Sequence, residues 1–230
     1  MDASELCPLL ARDGVVLFRH ATRARLLDVL GTLAELRVHP HGTERGETVI
    51  EPGPSARTPG GEGFSRHALA PHTDRALTPR PPALVAVLVE RAAPSGGHGL
   101  LADAGALSLP VPERVCPLIL DAGTAGAFPV LESSGEGVPG FVRLRFREDE
   151  IARPRATGTE GKALLAAVRA LGAHAEEFAL RHGEGYLAHN LRVLHGRTAF
   201  RGYRRATRYL ADLRPAHPYG WMNEGFQPTN

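Results

Sequence analysis

The chain has 230 residues, of which 43% are hydrophobic and 23% charged, an ordinary balance for a globular protein large enough to bury a core. Twenty-seven basic side chains against 25 acidic ones leave a net charge of +2, which gives no footing for nucleic acid or an anionic membrane surface. Only Cys7 and Cys116 are present, without metal-binding or redox spacing, so neither a disulfide framework nor a zinc–thiolate site is indicated. The length fits one domain over 1–230. No basic-then-apolar leader opens the chain and no run of about 18 apolar residues occurs, so the expected compartment is the cytoplasm.

In chain order, Ser4 is placed to cap a helix over Glu5–Arg12, Asp13-Gly14 forms a turn, and Val15–Phe18 is a compact strand. Thr22 caps a second helix through Leu36, with leucines near helical spacing at 26, 27, 30, 33 and 36. From His39 to Gly63 the chain is rich in Gly, Pro, Thr and Glu. Its part near 49–63 is too broken for a regular element and suits a lid loop. Phe64–Ala70 reads as a strand. Ala83–Glu90 is nearly all apolar, as for a strand buried on both faces. Hairpins are expected between 110 and 150, with Phe141–Arg147 alternating apolar and basic residues. An amphipathic helix follows over Thr159–Leu180, then strands over Tyr186–Leu194 and Ala206–Leu213. Many short strands with a few helices indicate a mainly β protein, a jelly roll carrying peripheral helices.

The chemistry centres on Pro71-His72-Thr73-Asp74. Positions two apart in an extended chain face the same way, so His72 and Asp74 project an imidazole and a carboxylate into one space. A histidine from a distant strand would complete two histidines and one carboxylate on one face of a metal, the set diagnostic of non-haem Fe(II) oxygenases. His195, at a strand end before Gly196, is the first choice. His189, of the same parity, competes with it but suits a core role, and His182 is placed at a helix end. A loop pair sharing a hydrogen bond would also yield a lone His-x-Asp, so the triplet carries weight only with its surroundings. Histidines 20, 39, 41, 67, 98, 174 and 217 have no partner spacing and read as structural or exposed. In the last strand Arg204, Arg208 and Leu210 share a face with Ala206, opposite Arg205, Thr207 and Tyr209. A core-facing arginine is expensive without an anion, which points to an anionic ligand beside the metal.

Val15–Arg19, Leu69–Arg75 followed by Pro81-Pro82, Gly96-Gly97 before Leu100–Asp103, and Asn190–Phe200 together resemble the taurine-dioxygenase-like, or clavaminate-synthase-like, family of Fe(II)- and 2-oxoglutarate-dependent oxygenases. The resemblance implies a double-stranded β-helix with iron on His72, Asp74 and His195. It also implies that Arg204 first, or Arg208 second, pairs with the far carboxylate of 2-oxoglutarate. Gly99 stands where the family often has a threonine for the cosubstrate. With O₂, such an enzyme oxidises a C–H bond and releases succinate and CO₂. Asp74 leaves no vacancy for the chloride of halogenating relatives, which favours hydroxylation over halogenation, while desaturation, epimerisation or ring formation would use the same ligands. The expected partner is a small polar molecule, amino-acid-like or a biosynthetic intermediate, with Arg75, Arg143 and Arg145 as substrate-carboxylate candidates. The alternatives are a catalytically silent jelly roll that binds a metal or small ligand, and a cupin-like metalloenzyme without 2-oxoglutarate. Substrate and oligomeric state are not encoded in any motif.

Overall fold

The computed structural model describes residues 3–106, 116–133 and 140–228, so part of the predicted hairpin region lies outside the described residues. Helix α1 (Ala3–Asp13) already includes Ser4, which therefore lies inside the helix rather than at its cap. It stops at Gly14, whose φ of +72° and N–H donated to the Leu10 carbonyl at 2.8 Å end it in the left-handed region. Strand β1 (Val15–Phe18) follows, then α2 (Arg23–Leu33), capped by the Thr22 hydroxyl, which accepts from the Arg25 N–H at 3.2 Å. Helix α2 ends at Leu33 rather than Leu36. The chain enters β2 (Ala34–Arg37) directly, where Leu36 reaches the same apolar cluster from a strand. Strands β3 (Glu47–Ile50), β4 (Leu69–His72), β5 (Leu84–Arg91), β6 (Ser95–Gly96) and β7 (Gly99–Asp103) come next. The strand expected over 64–70 is thus displaced, with Phe64 closing a 3₁₀ turn and pairing starting at Leu69.

Hairpins do form in the described part of 116–150: β8 (Leu118–Asp121) pairs with β9 (Ala127–Pro129), and β10 (Leu131–Ser133) with β11 (Val142–Leu144). Strand β11 is shorter than the alternation predicts. The Arg145 N–H donates to the Val130 carbonyl, and the Phe146 N–H leaves the ladder for the Thr73 hydroxyl. After β12 (Arg153–Ala156), helix α3 (Gly158–Ala173) ends before Leu180, because Glu176–Phe178 pairs as β13 along β7. The strand expected over 186–194 is two strands, β14 (Glu184–His189) and β15 (Val193–Arg197), in different sheets. Strands β16 (Phe200–Arg201) and β17 (Arg205–Leu213) close the fold.

One six-stranded antiparallel sheet runs β1-β14-β5-β17-β2, with β3 also on β17, and a four-stranded sheet runs β13-β7-β15-β4. Alternation along β5 turns Val85 and Val87 toward the smaller sheet, where Leu101 and Val193 meet them with Tyr186, Ala206 and Leu210. The intervening Leu84, Ala86 and Leu88 face the other way and pack with Leu10, Leu26 and Leu30 of α1 and α2. The smaller sheet covers its outer face with Leu164 and Val168 of α3 and with the hairpins. Burial on both sides explains the unbroken apolar run of β5, each fully buried side chain contributing about 1.5–3 kcal/mol before entropy. This is a helix-decorated jelly roll, and the space between its two sheets holds the candidate site. Among the described residues no helix is long and apolar enough to cross a membrane.

Candidate active site

Strands β4 and β15 pair with His72 directly opposite His195, which brings the two rings to 4.6 Å between centroids. The His72 Nδ1 lies 3.0 Å from the Ala70 carbonyl. Donating there, the ring leaves Nε2 bare as a ligand atom. Asp74 lies just past the end of β4, so the strand pleat alone does not aim it. Asn190 does: the Asp74 N–H donates to Asn190 Oδ1 at 2.7 Å, and Asn190 Nδ2 donates to the carbonyls of Asp74 at 3.0 Å and Pro82 at 2.8 Å. Thr73 is pinned between them, its N–H on the Phe146 carbonyl and its hydroxyl accepting from the Phe146 N–H. His72, Asp74 and His195 are 6%, 3% and 4% exposed, and one ligand atom from each lies within 4.8 Å of the others.

The electrostatics suit a cation. Burial opposes ionisation of Asp74, but Arg208, followed by His195 and His72, holds its carboxyl well below the usual range. Arg208 donates to Asp74 Oδ1 at 2.6 Å. Burial and then the neighbouring His195 push His72 down to about 3, so its imidazole is neutral. Asp74 Oδ2 lies 3.3 Å from His195 Nε2, yet it makes no hydrogen bond among the described residues, and neither does His195 Nδ1. A buried carboxylate oxygen without a donor, between two imidazoles, fits a divalent metal.

The three residues open into a cavity of about 390 Å³ between the sheets. Arg204, at its wall, is 6% exposed and has no carboxylate within ion-pair distance among the described residues. Burial lowers its pKa. Gly97, at φ +75°, lets the Arg204 side chain pass, since a Cβ there would sit 3.0 Å from Arg204 Cδ. Arg197 is buried beside it, Nη2 donating to the carbonyls of Ser65 and His67 at 3.0 Å each while Nη1 has no hydrogen-bond partner among the described residues. Two buried guanidiniums without a carboxylate call for an anion. A dianionic acid chelating a metal fits that need.

The sequence-predicted residues separate clearly. His72, Asp74, His195, Arg204 and Arg208 converge on the cavity, with Arg208 spent on Asp74. His189 is in the core, its Nε2 2.8 Å from the Met222 carbonyl, and it belongs to the other sheet from His195. His182 is not at a helix end, since α3 stops at Ala173; its Nδ1 contacts the Glu90 carbonyl. Arg143 pairs with Glu224, and Arg145 holds Glu132 and the Thr78 and Pro79 carbonyls, so neither lines the cavity. Arg75 does line it. Sequence reasoning missed His39 and His41, which line the mouth from the Gly/Pro-rich segment, and the roles of Asn190 and Arg197. The Asn-x-x-x-x-His-Gly-Arg spacing held the signal for the last two.

No family model matches the sequence, and no curated protein matches it. Solved structures do share the fold. PvcB from Pseudomonas aeruginosa is 20% identical, with 92% of this chain and 80% of that chain covered and a TM-score of 0.62. Another structure of PvcB describes it as an Fe, alpha-ketoglutarate dependent oxygenase from an isonitrile synthetic pathway. Asparagine oxygenase, solved with Fe(II), 2S,3S-3-hydroxyasparagine and succinate, is 19% identical over 91% of this chain and 77% of that one, TM-score 0.64. The non-heme iron oxygenase OrfP, solved with Fe and alpha-ketoglutaric acid, is 17% identical over 90% and 77%, TM-score 0.67. At these identities the likeness establishes the fold: this chain has the double-stranded β-helix of those oxygenases.

Proposed function

We propose that this protein is an Fe(II)- and 2-oxoglutarate-dependent oxygenase that hydroxylates a C–H bond of a small molecule. The observation that carries the reading is the buried His72, Asp74 and His195 set, its ligand atoms within 4.8 Å, beside an Arg204 that has no anion among the described residues. Bound Fe(II) with 2-oxoglutarate would supply O₂ activation coupled to decarboxylation of the cosubstrate to succinate and CO₂. Three protein ligands leave coordination positions for the cosubstrate and O₂. Arg204 is the partner of the far carboxylate, and Arg208 keeps Asp74 ionised. Tyr186, whose pKa burial and then Asp74 raise, presents a neutral phenol to the cavity. Because Asp74 fills the third position, hydroxylation is favoured over halogenation.

The segment near 49–63 acts as a lid in this reading. Ile50, Pro59 and Gly60 line the cavity, and Glu62 pairs with Arg147 at 2.8 Å across its rim. The amino-acid products in the asparagine oxygenase and OrfP structures support a substrate of amino-acid size. The test is turnover without substrate: apoprotein given Fe(II), O₂, 2-oxoglutarate and ascorbate, which supplies the two electrons a substrate would otherwise give, should release succinate slowly, and His72→Ala should not. Failure of the wild type to consume 2-oxoglutarate at any Fe(II) concentration would overturn the reading.

A further inference from the structure

Five arginines line the cavity, Arg75, Arg147, Arg197, Arg204 and Arg208, whereas Asp74 is the sole carboxylate among the described lining residues. Arg208 is matched by Asp74, and Arg147 by Glu62 and Asp149. Arg197 and Arg204 form the pair assigned above to the cosubstrate's surroundings. Arg75 is left over. It has no hydrogen-bond or ion-pair partner for its guanidinium among the described residues. It lies near enough to His39 to add, after burial and Arg208, to what opposes protonation of that ring.

The backbone holds Arg75 there deliberately. Its φ of +58° is in the left-handed region, which residues other than glycine, asparagine and aspartate seldom occupy, and it follows a proposed metal ligand directly. Thr78 fixes that conformation, its N–H and its hydroxyl both donating to the Arg75 carbonyl at 3.0 and 2.8 Å. Loading the site with Fe(II) and dianionic 2-oxoglutarate adds equal and opposite charge, so the surplus of arginine survives. Ile50, Phe64, Leu77 and Ile151 give the rest of the wall an apolar part, beside the uncharged polar groups of Thr78 and Tyr186.

We propose that Arg75 binds the carboxylate of the substrate, and that the substrate is an organic acid with an apolar body and no free ammonium group, such as a simple or N-acylated acid. The inference rests on the oxygenase reading for the word substrate. A zwitterion would bring its ammonium among arginines, with no described carboxylate free to receive it. The site therefore departs from one built for a free amino acid.

The test is calorimetric titration of the full chain with phenylacetate, N-acetyl-L-phenylalanine, L-phenylalanine and phenylacetamide. It is run anaerobically with Fe(II) and 2-oxoglutarate bound, and again on the metal-free protein. The visible metal-to-ligand charge-transfer band of the loaded sample reports separately whether the chelate forms. At least one acid should bind about tenfold or more tighter than both L-phenylalanine and the amide, the size of one charge-assisted hydrogen-bonded pair. Arg75→Gln should lose that tenfold with the band intact, and Arg75→Lys should restore part of it. Equal binding of L-phenylalanine, no effect of Arg75→Gln, loss of the band together with the acid in that variant, or no binding of either acid while the band forms would each overturn the proposal. If the band never forms, the oxygenase reading fails by itself, and the metal-free titration decides the preference for acids by the same comparison.

Discussion

Asp74 owes its position and its charge to different residues, Asn190 for the first and Arg208 for the second. Asn190→Ala would remove three hydrogen bonds and leave buried main-chain groups unpaired, a cost of about 3 kcal/mol. The variant should also bind Fe(II) about 10–100-fold more weakly, as for other residues that orient a ligand, measured by equilibrium metal titration. Arg204 leads to an opposite expectation. Arg204→Met should weaken 2-oxoglutarate binding by about 10–100-fold yet stabilise the metal-free protein by about 1–2 kcal/mol, because a buried cation without a counter-ion is removed. Calorimetric binding and urea denaturation read the two effects. At this scale the convergence of His72, Asp74, His195 and Arg204 on one cavity was legible in the sequence, since chemistry restricts which residue types can serve. Strand parity does not place Asp74, which lies past the end of β4 and is held by Asn190. Asn190 and Arg197 were visible only as motif letters, because their work is done on carbonyls and amides that no spacing rule names.

The site depends on how closely β4 approaches β15. Gly196, between His195 and Arg197, sits at a register shift, and a Cβ there would lie 2.5 Å from the Leu69 carbonyl oxygen and 3.0 Å from the Pro71 nitrogen. Gly196→Ala must push β4 away, and the loss expected is about 1–3 kcal/mol of stability together with weakened Fe(II) binding. Gly31→Ala in α2, where a Cβ meets nothing within 4 Å, is the control and should stabilise by about 0.5–1 kcal/mol. Thermal denaturation of both variants separates strand crowding from a general intolerance of change. Elements were legible in kind more than in extent. Leu36 satisfies the apolar spacing of α2 from inside β2, and the run from Tyr186 to Leu194 hides the break at Asn190–Arg192 that carries the chain from one sheet to the other. Periodicity reports burial, and both sides of each break are buried.

For the whole molecule, the layered burial has a consequence for acid stability. His189 lies between the large sheet and the helices, where burial, with Arg192 adding to it against the Met222 hydrogen bond, lowers its pKa to about 4. The unfolded chain takes up its proton near 6.5 while the folded one resists, so stability is retained above pH 6.5 and lost as pH falls toward 4. His189 alone contributes about 3 kcal/mol across that window. In the metal-free protein, urea midpoints should therefore fall from pH 6.5 to 4, and His189→Gln should flatten the fall without touching the metal ligands. The layering itself was anticipated, since β5 reads as buried on both faces, whereas which strands face each other across the cavity is set by long-range pairing that local patterns do not contain.

The most direct measurement is anaerobic titration of the apoprotein with Fe(II) and 2-oxoglutarate, watched for the weak visible charge-transfer band of the chelate. The wild type should develop the band at one equivalent each, His72→Ala should not, and Arg204→Met should need about 10–100-fold more 2-oxoglutarate to reach it. Iron binding without the band would contradict the assignment of 2-oxoglutarate, and no iron binding at all would contradict the metal site itself.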